Sequence, residues 1–222
     1  MCGRYTLSVP LSNLVDSFDV RPPEFDYAPR FNIAPSQDAP VIAQDQEGKR
    51  MGLLRWGLIP SWAKDPAMGN RMINARSETV AEKPAFRGAF RRRRCLVPAD
   101  GFFEWAGKGA TKGPKIPYWI HRPDREPFLM AGLWEKWVPV DAAPLYTFTI
   151  LTTEAAPAIH EIHPRMPVIL PAGARDQWLD PDARAEDLLS LLRPFEEGIE
   201  AYPVSTLVNS PRNDVPDCIQ PV

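Results

Sequence analysis

Residues 95–107 read CLVPADGFFEWAG, and the two apolar runs flanking Asp100 decide what kind of fold this chain makes. Both runs are short, rich in β-branched and aromatic side chains, and separated by Asp-Gly, which reads as two strands rather than one helix. The same texture repeats outward in both directions. APVIAQ (39–44), MGLLRWGLIP (51–60), IPYWIHRP (116–123), PFLMAGLWEKWV (127–138) and LYTFTILTTEA (145–155) are all apolar stretches punctuated by Gly, Pro, Asp or Lys. Further strands are expected at CGRYTL (2–7) and IEAYPVS (199–205). The 26 prolines among 222 residues fit this pattern, because proline interrupts helices and central strands and stiffens the loops between short ones.

Helical spacing is confined to three places. Leu11, Leu14, Val15 and Phe18 recur at i, i+3, i+4 and i+7, one face of a short amphipathic helix. AGARDQWLD (172–180) and ARAEDLLSLLRPF (183–195) carry the other two. The stretch RPPEFDYAPRFNIAPSQDAP (21–40) is expected to be a loop along the surface, anchored by Phe31 and Ile33. Together these readings predict an α+β fold, mainly antiparallel β in a barrel-like folded sheet with a few short helices, forming one domain over residues 1–222.

The net charge of −2 argues against a surface coated in positive charge for duplex DNA or membrane binding. A local basic patch stands out all the same. Between Arg71 and Arg94 lie eight Lys or Arg residues against only Glu78 and Glu82, which suggests a phosphate-binding surface with Trp56, Trp62 and Phe90 nearby for base stacking. For the RRRR run (91–94) itself, a solvated turn is the alternative. Three cysteines, Cys2, Cys95 and Cys218, are too widely spaced for a zinc knuckle or disulfide framework, so a reducing, cytoplasmic setting is expected. No apolar run has the length of a membrane span, and no signal-peptide layout is visible at the N-terminus.

Cys2 stands directly behind Met1. If Met1 is trimmed, this residue presents an α-amine and a thiol on neighbouring carbons, a combination no internal residue offers. Three other stretches carry reactive groups: INARSE (73–78) an amide, DGFFEW (100–105) a carboxyl, and IHPRMP (162–167) an imidazole. His160 and His163 with Glu161 superficially resemble a zinc-protease motif, but the histidines are three apart instead of four and no third ligand is apparent, so no metal and no other cofactor is expected. Cys95 and Cys218 are assigned to packing.

Taken jointly, MCGRY, NIAP (32–35), WGLIPSW (56–62), INARSET, ADGFFEW, IHPRMPVIL and the closing IQPV resemble the SOS response-associated peptidase family, the SRAP domain of abasic-site processing proteins. The resemblance runs through essentially the whole chain in family order. It implies covalent capture of abasic sites in single-stranded DNA by Cys2, as a thiazolidine, with Asn74 orienting the N-terminal residue, Glu104 as general acid and base, and His163 opening the sugar. It also implies that Arg4, Arg76 and Arg165 hold phosphates while Trp62 and the loop at Pro35 pack against the strand. A monomer is expected, bound to the nucleoid when engaged with DNA, with no membrane partner. Two other functions stay open at this point: an N-terminal-nucleophile cysteine peptidase or amidohydrolase, including self-removal of Met1, and a non-catalytic single-stranded nucleic-acid-binding module. Hydrolase, protease and lyase activities are all within the reach of such a site.

Overall fold

The structure, a computed structural model, describes residues 2–107, 115–139, 142–195 and 198–222. Met1, whose removal the expected role of Cys2 requires, lies outside the described residues. In chain order the elements are β1 (Tyr5–Leu7), α1 (Leu11–Phe18), β2 (Arg30–Ile33), β3 (Asp38–Asp45), β4 (Gly48–Trp56), β5 (Asn74–Arg76) and α2 (Arg87–Arg92). There follow β6 (Arg94–Ala99), β7 (Gly101–Ala106), β8 (Ile116–His121), β9 (Phe128–Trp137) and β10 (Leu145–Glu154). The chain then forms β11 (Arg165–Pro167), β12 (Ile169–Leu170), α3 (Arg175–Leu179), α4 (Ala185–Ser190) and β13 (Glu200–Pro203).

Most strands fall where the apolar runs predicted them. Two sheets result, one ordered β13-β8-β7-β1-β2 and the other β11-β10-β4-β3-β6-β9-β12. Because β10 pairs with β9 as well as with β4, the path β10-β4-β3-β6-β9 closes on itself and has no free edge within the ring. The expected barrel-like α+β architecture is therefore what the chain adopts. Most pairings are antiparallel, but β10 runs parallel to both β4 and β5, which puts the short Asn74–Arg76 strand beside the middle of a buried one.

The turn at Asp100 passes the chain from the closed sheet to the open one. β6 is buried at every position, since α3 covers it: the Trp178 indole Nε1 donates to the Cys95 carbonyl at 2.9 Å. Asp100 is itself buried, and its carboxylate accepts from the Thr6 hydroxyl, from Ser8 N at 2.7 Å and from Ser8 Oγ at 2.5 Å. Burying a carboxylate is tolerable because those donors replace water. Gly101 is required next, as a Cβ there would sit 2.2 Å from the Trp119 indole nitrogen. β7 then pairs with β1 and β8 in the second sheet.

Three readings need correction. The 21–40 stretch is not loop throughout: Arg30–Ile33 is a strand, held by Asp214, which accepts from Asn32 N at 2.9 Å, while Asn32 Nδ2 donates to the carbonyls of Val208, Ser210 and Asn213. Proline density hid a strand that pairs with β1 and takes its remaining hydrogen bonds from the distant C-terminal segment. Ile33 is buried as expected. The RRRR run is not one charged surface either: Arg94 is buried and donates to the carbonyls of Phe90, Arg91, Trp178 and Asp180, and Arg93 pairs with Glu135 at 2.7 Å, leaving Arg91 and Arg92 exposed. Finally, Trp56 and Phe90 are 1% exposed. They are core residues, Trp56 stacking near Phe148 and donating to Ile73 O at 2.8 Å, and neither can reach a base. α2 was not anticipated, because its six residues are too short for a periodic signal.

Candidate active site

Cys2, Asn74, Glu104 and His163 come from four separate segments. Cys2 precedes β1, an interior strand of its sheet, and is fully buried within the main core. Asn74 opens β5, where pairing with Ile150 of β10 fixes its direction, and its Nδ2 donates to the Cys2 carbonyl at 2.8 Å. Glu104 lies on β7 opposite Tyr118 of β8. His163 sits in the turn before β11, with Nδ1 at 3.8 Å from Glu104 Oε1.

The electrostatics follow from burial. Desolvation pushes the Glu104 carboxyl up to about 7, against the opposing pull of the Lys115 charge. Burial also drives the Cys2 thiol well above its ordinary value, and the neighbouring Glu104 carboxylate adds to the effect. His163 is drawn below its usual value, first by burial and also by the positive charges of Lys115 and Arg165. At neutral pH the site thus holds a protonated thiol, a neutral imidazole and a carboxyl near its midpoint. Such a carboxyl can give or take a proton with little driving force against it.

His163 is held by its own neighbour. The Arg165 backbone N–H donates to His163 Nδ1 at 3.0 Å, and the Arg165 carbonyl oxygen lies at 3.0 Å from the same nitrogen. Nδ1 thus faces a donor and an acceptor at the same distance: a ring with its proton on Nε2 accepts from the N–H, and a ring protonated at Nδ1 donates to the carbonyl. Arg165 turns its guanidinium elsewhere: Nη1 donates to Glu78 Oε1 at 2.5 Å, and Nη2 to Glu78 Oε2 at 3.0 Å and to the Thr152 carbonyl at 2.6 Å.

Around this centre the remaining expected residues take different positions. Arg76 is exposed and shares a face of β5 with Asn74, two residues away. Arg4 is half-buried, with Nη1 donating to Gly3 O at 2.8 Å. Trp62 stands 57% exposed on the loop after β4. Pro35 is half-buried beside Ser36, whose φ of 69° is stabilised by its N–H donating to Trp56 O at 2.8 Å and its hydroxyl donating to Asn70 at 3.1 Å. That loop and the Trp62 loop are thereby tied together. Gly57 (φ 124°) makes the crossing possible, since a Cβ there would meet the Gly69 carbonyl oxygen at 2.7 Å.

Other features lie apart from this centre. His160 and Glu161 are exposed, and among the described residues no group of three or more His, Cys, Asp or Glu is placed to hold a metal ion. Cys95 and Cys218 are free and buried. The cleft lined by Ile169, Pro171, Leu191 and Phe195 contains none of the site residues. Among the described residues no helix is long and apolar enough to cross a membrane. Sequence reasoning passed over Glu78, Thr152, Lys115 and Tyr118. Only Glu78 had a visible signal, as one of just two acids in a basic stretch.

The fold and site together define a single α+β domain, built on a closed sheet, in which an N-terminal cysteine meets an amide, a carboxyl and an imidazole. The chain belongs to the SOS response associated peptidase (SRAP) family, whose model matches residues 1–211. It is 46% identical over 224 residues to the abasic site processing protein YoqW of Bacillus subtilis, covering 99% of each chain. It is 37% identical over 229 residues to the abasic site processing protein HMCES of Gallus gallus, covering 88% of this chain and 67% of that one. A crystal structure of a Bacteroides thetaiotaomicron protein superposes with a TM-score of 0.89 at 29% identity over the whole of both chains.

Proposed function

We propose that this protein processes abasic sites in DNA, and that it does so by forming a covalent thiazolidine between Cys2 and the open-chain sugar of an abasic site in single-stranded DNA. The observation that carries this reading is the Asn74–Cys2 hydrogen bond set beside the Glu104–His163 pair. It tethers the one residue able to supply a 1,2-aminothiol next to a carboxyl that titrates near neutrality.

The sequence of steps balances as follows. Hydrolysis of the Met1–Cys2 peptide bond frees the α-amine. In its protonated form His163 passes a proton to the ring oxygen of the closed sugar as the C1′–O bond breaks, and the Glu104 carboxylate takes the proton of the C1′ hydroxyl, giving the aldehyde. The amine, with an ordinary value of about 8 against about 10.4 for lysine, is partly neutral at pH 7 and adds to C1′. Protonated Glu104 donates to the carbinolamine hydroxyl, which leaves as water, and the iminium returns its N–H proton to the carboxylate to give an imine. The thiol then adds across the C=N bond: sulfur bonds to C1′, the thiol proton moves to nitrogen, and a five-membered ring of N, Cα, Cβ, S and C1′ closes. One water is lost overall. A lysine could form the imine but has no sulfur in reach to trap it, whereas here the second step is intramolecular.

Arg4 and Arg76 supply phosphate contacts in this scheme, and Trp62 packs against the strand. Phosphate contacts of this kind position DNA without reading sequence. Arg165 retains one Nη1 hydrogen for a phosphate while its other Nη hydrogens hold Glu78 and Thr152. The single-domain boundaries 1–222, the monomeric state and a cytoplasmic location belong to the same proposal. A general peptidase has no use for exposed arginines and an exposed tryptophan, and a plain binding module has no use for Cys2, which weighs for the crosslinking reading over both.

The test is a denaturing gel of protein incubated with single-stranded DNA carrying one abasic site. A slow, heat-stable band that disappears in Cys2→Ala is expected, with an adduct mass equal to the two reactants less one water. An unprocessed Met1 in native protein, or a band of equal intensity in Cys2→Ala, would rule the mechanism out.

A further inference from the structure

Glu78 is an acid set among the arginines expected to hold DNA. It stands two residues after Arg76, in the 3-10 turn Ser77–Thr79 that follows β5. Its carboxylate takes the fork of the Arg165 guanidinium, Oε1 accepting from Nη1 at 2.5 Å and Oε2 from Nη2 at 3.0 Å. The pairing is bidentate, and a phosphodiester offers two non-bridging oxygens to the same fork. Nη2 also donates to the Thr152 carbonyl of β10 at 2.6 Å, which anchors the guanidinium independently of Glu78. Exposure divides the pair unequally, since the Arg165 side chain is 16% exposed and that of Glu78 48%. The carboxylate is therefore the solvent side of the pair and can turn into water while the arginine stays anchored. Hydrogen bonds from Arg165 hold the Glu78 carboxyl below its ordinary value, and the charge of Arg76 adds to the pull. Both arginines thus act on one carboxylate.

We propose that Glu78 is an internal stand-in for a DNA phosphate: it fills the Arg165 fork in the free protein and is displaced when a phosphodiester of the bound strand docks there, which lowers the affinity for undamaged single-stranded DNA. The inference rests on the reading that DNA phosphates meet Arg76 and Arg165. An arriving phosphate finds one Nη1 hydrogen left over, and it takes the whole fork only by replacing both carboxylate oxygens. A carboxylate that stayed in place beside the phosphate would repel it. The exchange keeps the fork geometry, so its net effect is the release of an already half-exposed carboxylate, a loss in affinity of roughly three- to tenfold. That loss falls on every strand alike. Covalent capture by Cys2 offsets it only where an aldehyde is present, so the restraint raises discrimination for the lesion, in the way that a built-in repulsive element does. Among the described residues, the charged groups facing Glu78 are Arg165 from β11 and Arg76 from β5. Displacement removes the Arg165 hydrogen bonds and brings a negative charge close, so the Glu78 carboxyl titrates higher in the complex than in the free protein.

The experiment uses the full chain, the variants Glu78→Gln, Arg165→Gln and their combination, and Glu82→Gln as a control for removing an exposed acid from the same basic stretch. Binding to undamaged single-stranded DNA, where no crosslink forms, is read by fluorescence anisotropy across salt. Glu78→Gln is expected to bind roughly three- to tenfold more tightly than the parent, and Glu82→Gln less than about twofold more tightly. Arg165→Gln is expected to bind more weakly, with a salt slope lower by about 0.7. The double variant should match Arg165→Gln, because Glu78 acts only through the fork. In the parent, the Glu78 carboxyl carbon, assigned through the backbone by NMR, should titrate below the usual carboxylate range when free and move upward on adding the undamaged strand. This last measurement needs no variant to fold. Affinity unchanged or weakened in a folded Glu78→Gln overturns the proposal, as does an equal gain in Glu82→Gln or in the Arg165→Gln background. A Glu78 carboxyl whose titration DNA leaves unmoved overturns it as well. Binding without these effects sinks this inference alone, whereas a parent that binds no single-stranded DNA sinks the reading beneath it and this inference with it.

Discussion

Replacing Glu104 by Gln should make the protein more stable at pH 8 and leave it nearly unchanged at pH 4. The carboxyl is 3% exposed, and burial raises it from 4.5 to about 7. Between those values the unfolded chain has released the proton while the native state still holds it. Fewer protons are then bound in the unfolded state, so stability falls as pH rises through this window. That displacement corresponds to about 3 kcal/mol once pH exceeds the native value, and to roughly 2 kcal/mol already at pH 6. Gln has the shape of the protonated form and does not titrate, so it escapes this penalty. For a chain of this size the gain appears as a rise in unfolding midpoint of roughly 6–12 °C at pH 8. Urea unfolding of both proteins at half-unit intervals from pH 4 to 8.5 measures it, with the mass of each N-terminus verified so that both carry the same terminal group. A stability difference that stays constant within about 1 kcal/mol across the range, or that grows toward low pH, refutes the claim that Glu104 is held above its ordinary value by burial. The same substitution should remove the inflection near pH 7 from the crosslinking rate and slow it, so that the site gives up stability for reactivity.

Gly101→Ala should destabilise the fold by about 1–3 kcal/mol or more through its 2.2 Å approach to the Trp119 indole; a midpoint equal to the parent's would show that the Asp100 turn tolerates a side chain. Arg76→Ala should weaken single-stranded DNA binding evenly across sequences and lower the salt slope by roughly one, read by fluorescence anisotropy at several salt concentrations. Trp62→Ala should weaken binding by about 1–3 kcal/mol if a base stacks on the exposed indole, whereas an affinity indifferent to the change would remove Trp62 from the interface. Trp56→Ala should instead unfold the protein or lower its midpoint sharply, because that ring is buried between Tyr5 and Phe148.

The strands were legible because alternation and β-branched content are local properties. CLVPA, GFFEWA and LYTFTILTTE announce themselves whatever the rest of the chain does, and the 11–18 helix shows its period directly. The order of reactive groups along the chain was equally open to reading: a cysteine at position 2, then an amide, a carboxyl and an imidazole. Closure of the sheet through β9 and β10 was not, since it depends on which strand edges remain free after all others have paired. The four arginines at 91–94 look alike in sequence, yet one caps buried carbonyls, one pairs with Glu135 and two meet solvent. Trp56 and Trp62 lie six residues apart and were read alike, and only the turn at Gly57 separates a core ring from an exposed one. Chemical identity and spacing thus come from the order of residues alone. Burial, and with it the protonation state of Glu104 and the division of Arg165 between Glu78 and His163, is decided by segments distant in the chain, because desolvation depends on what surrounds a group and not on what precedes it.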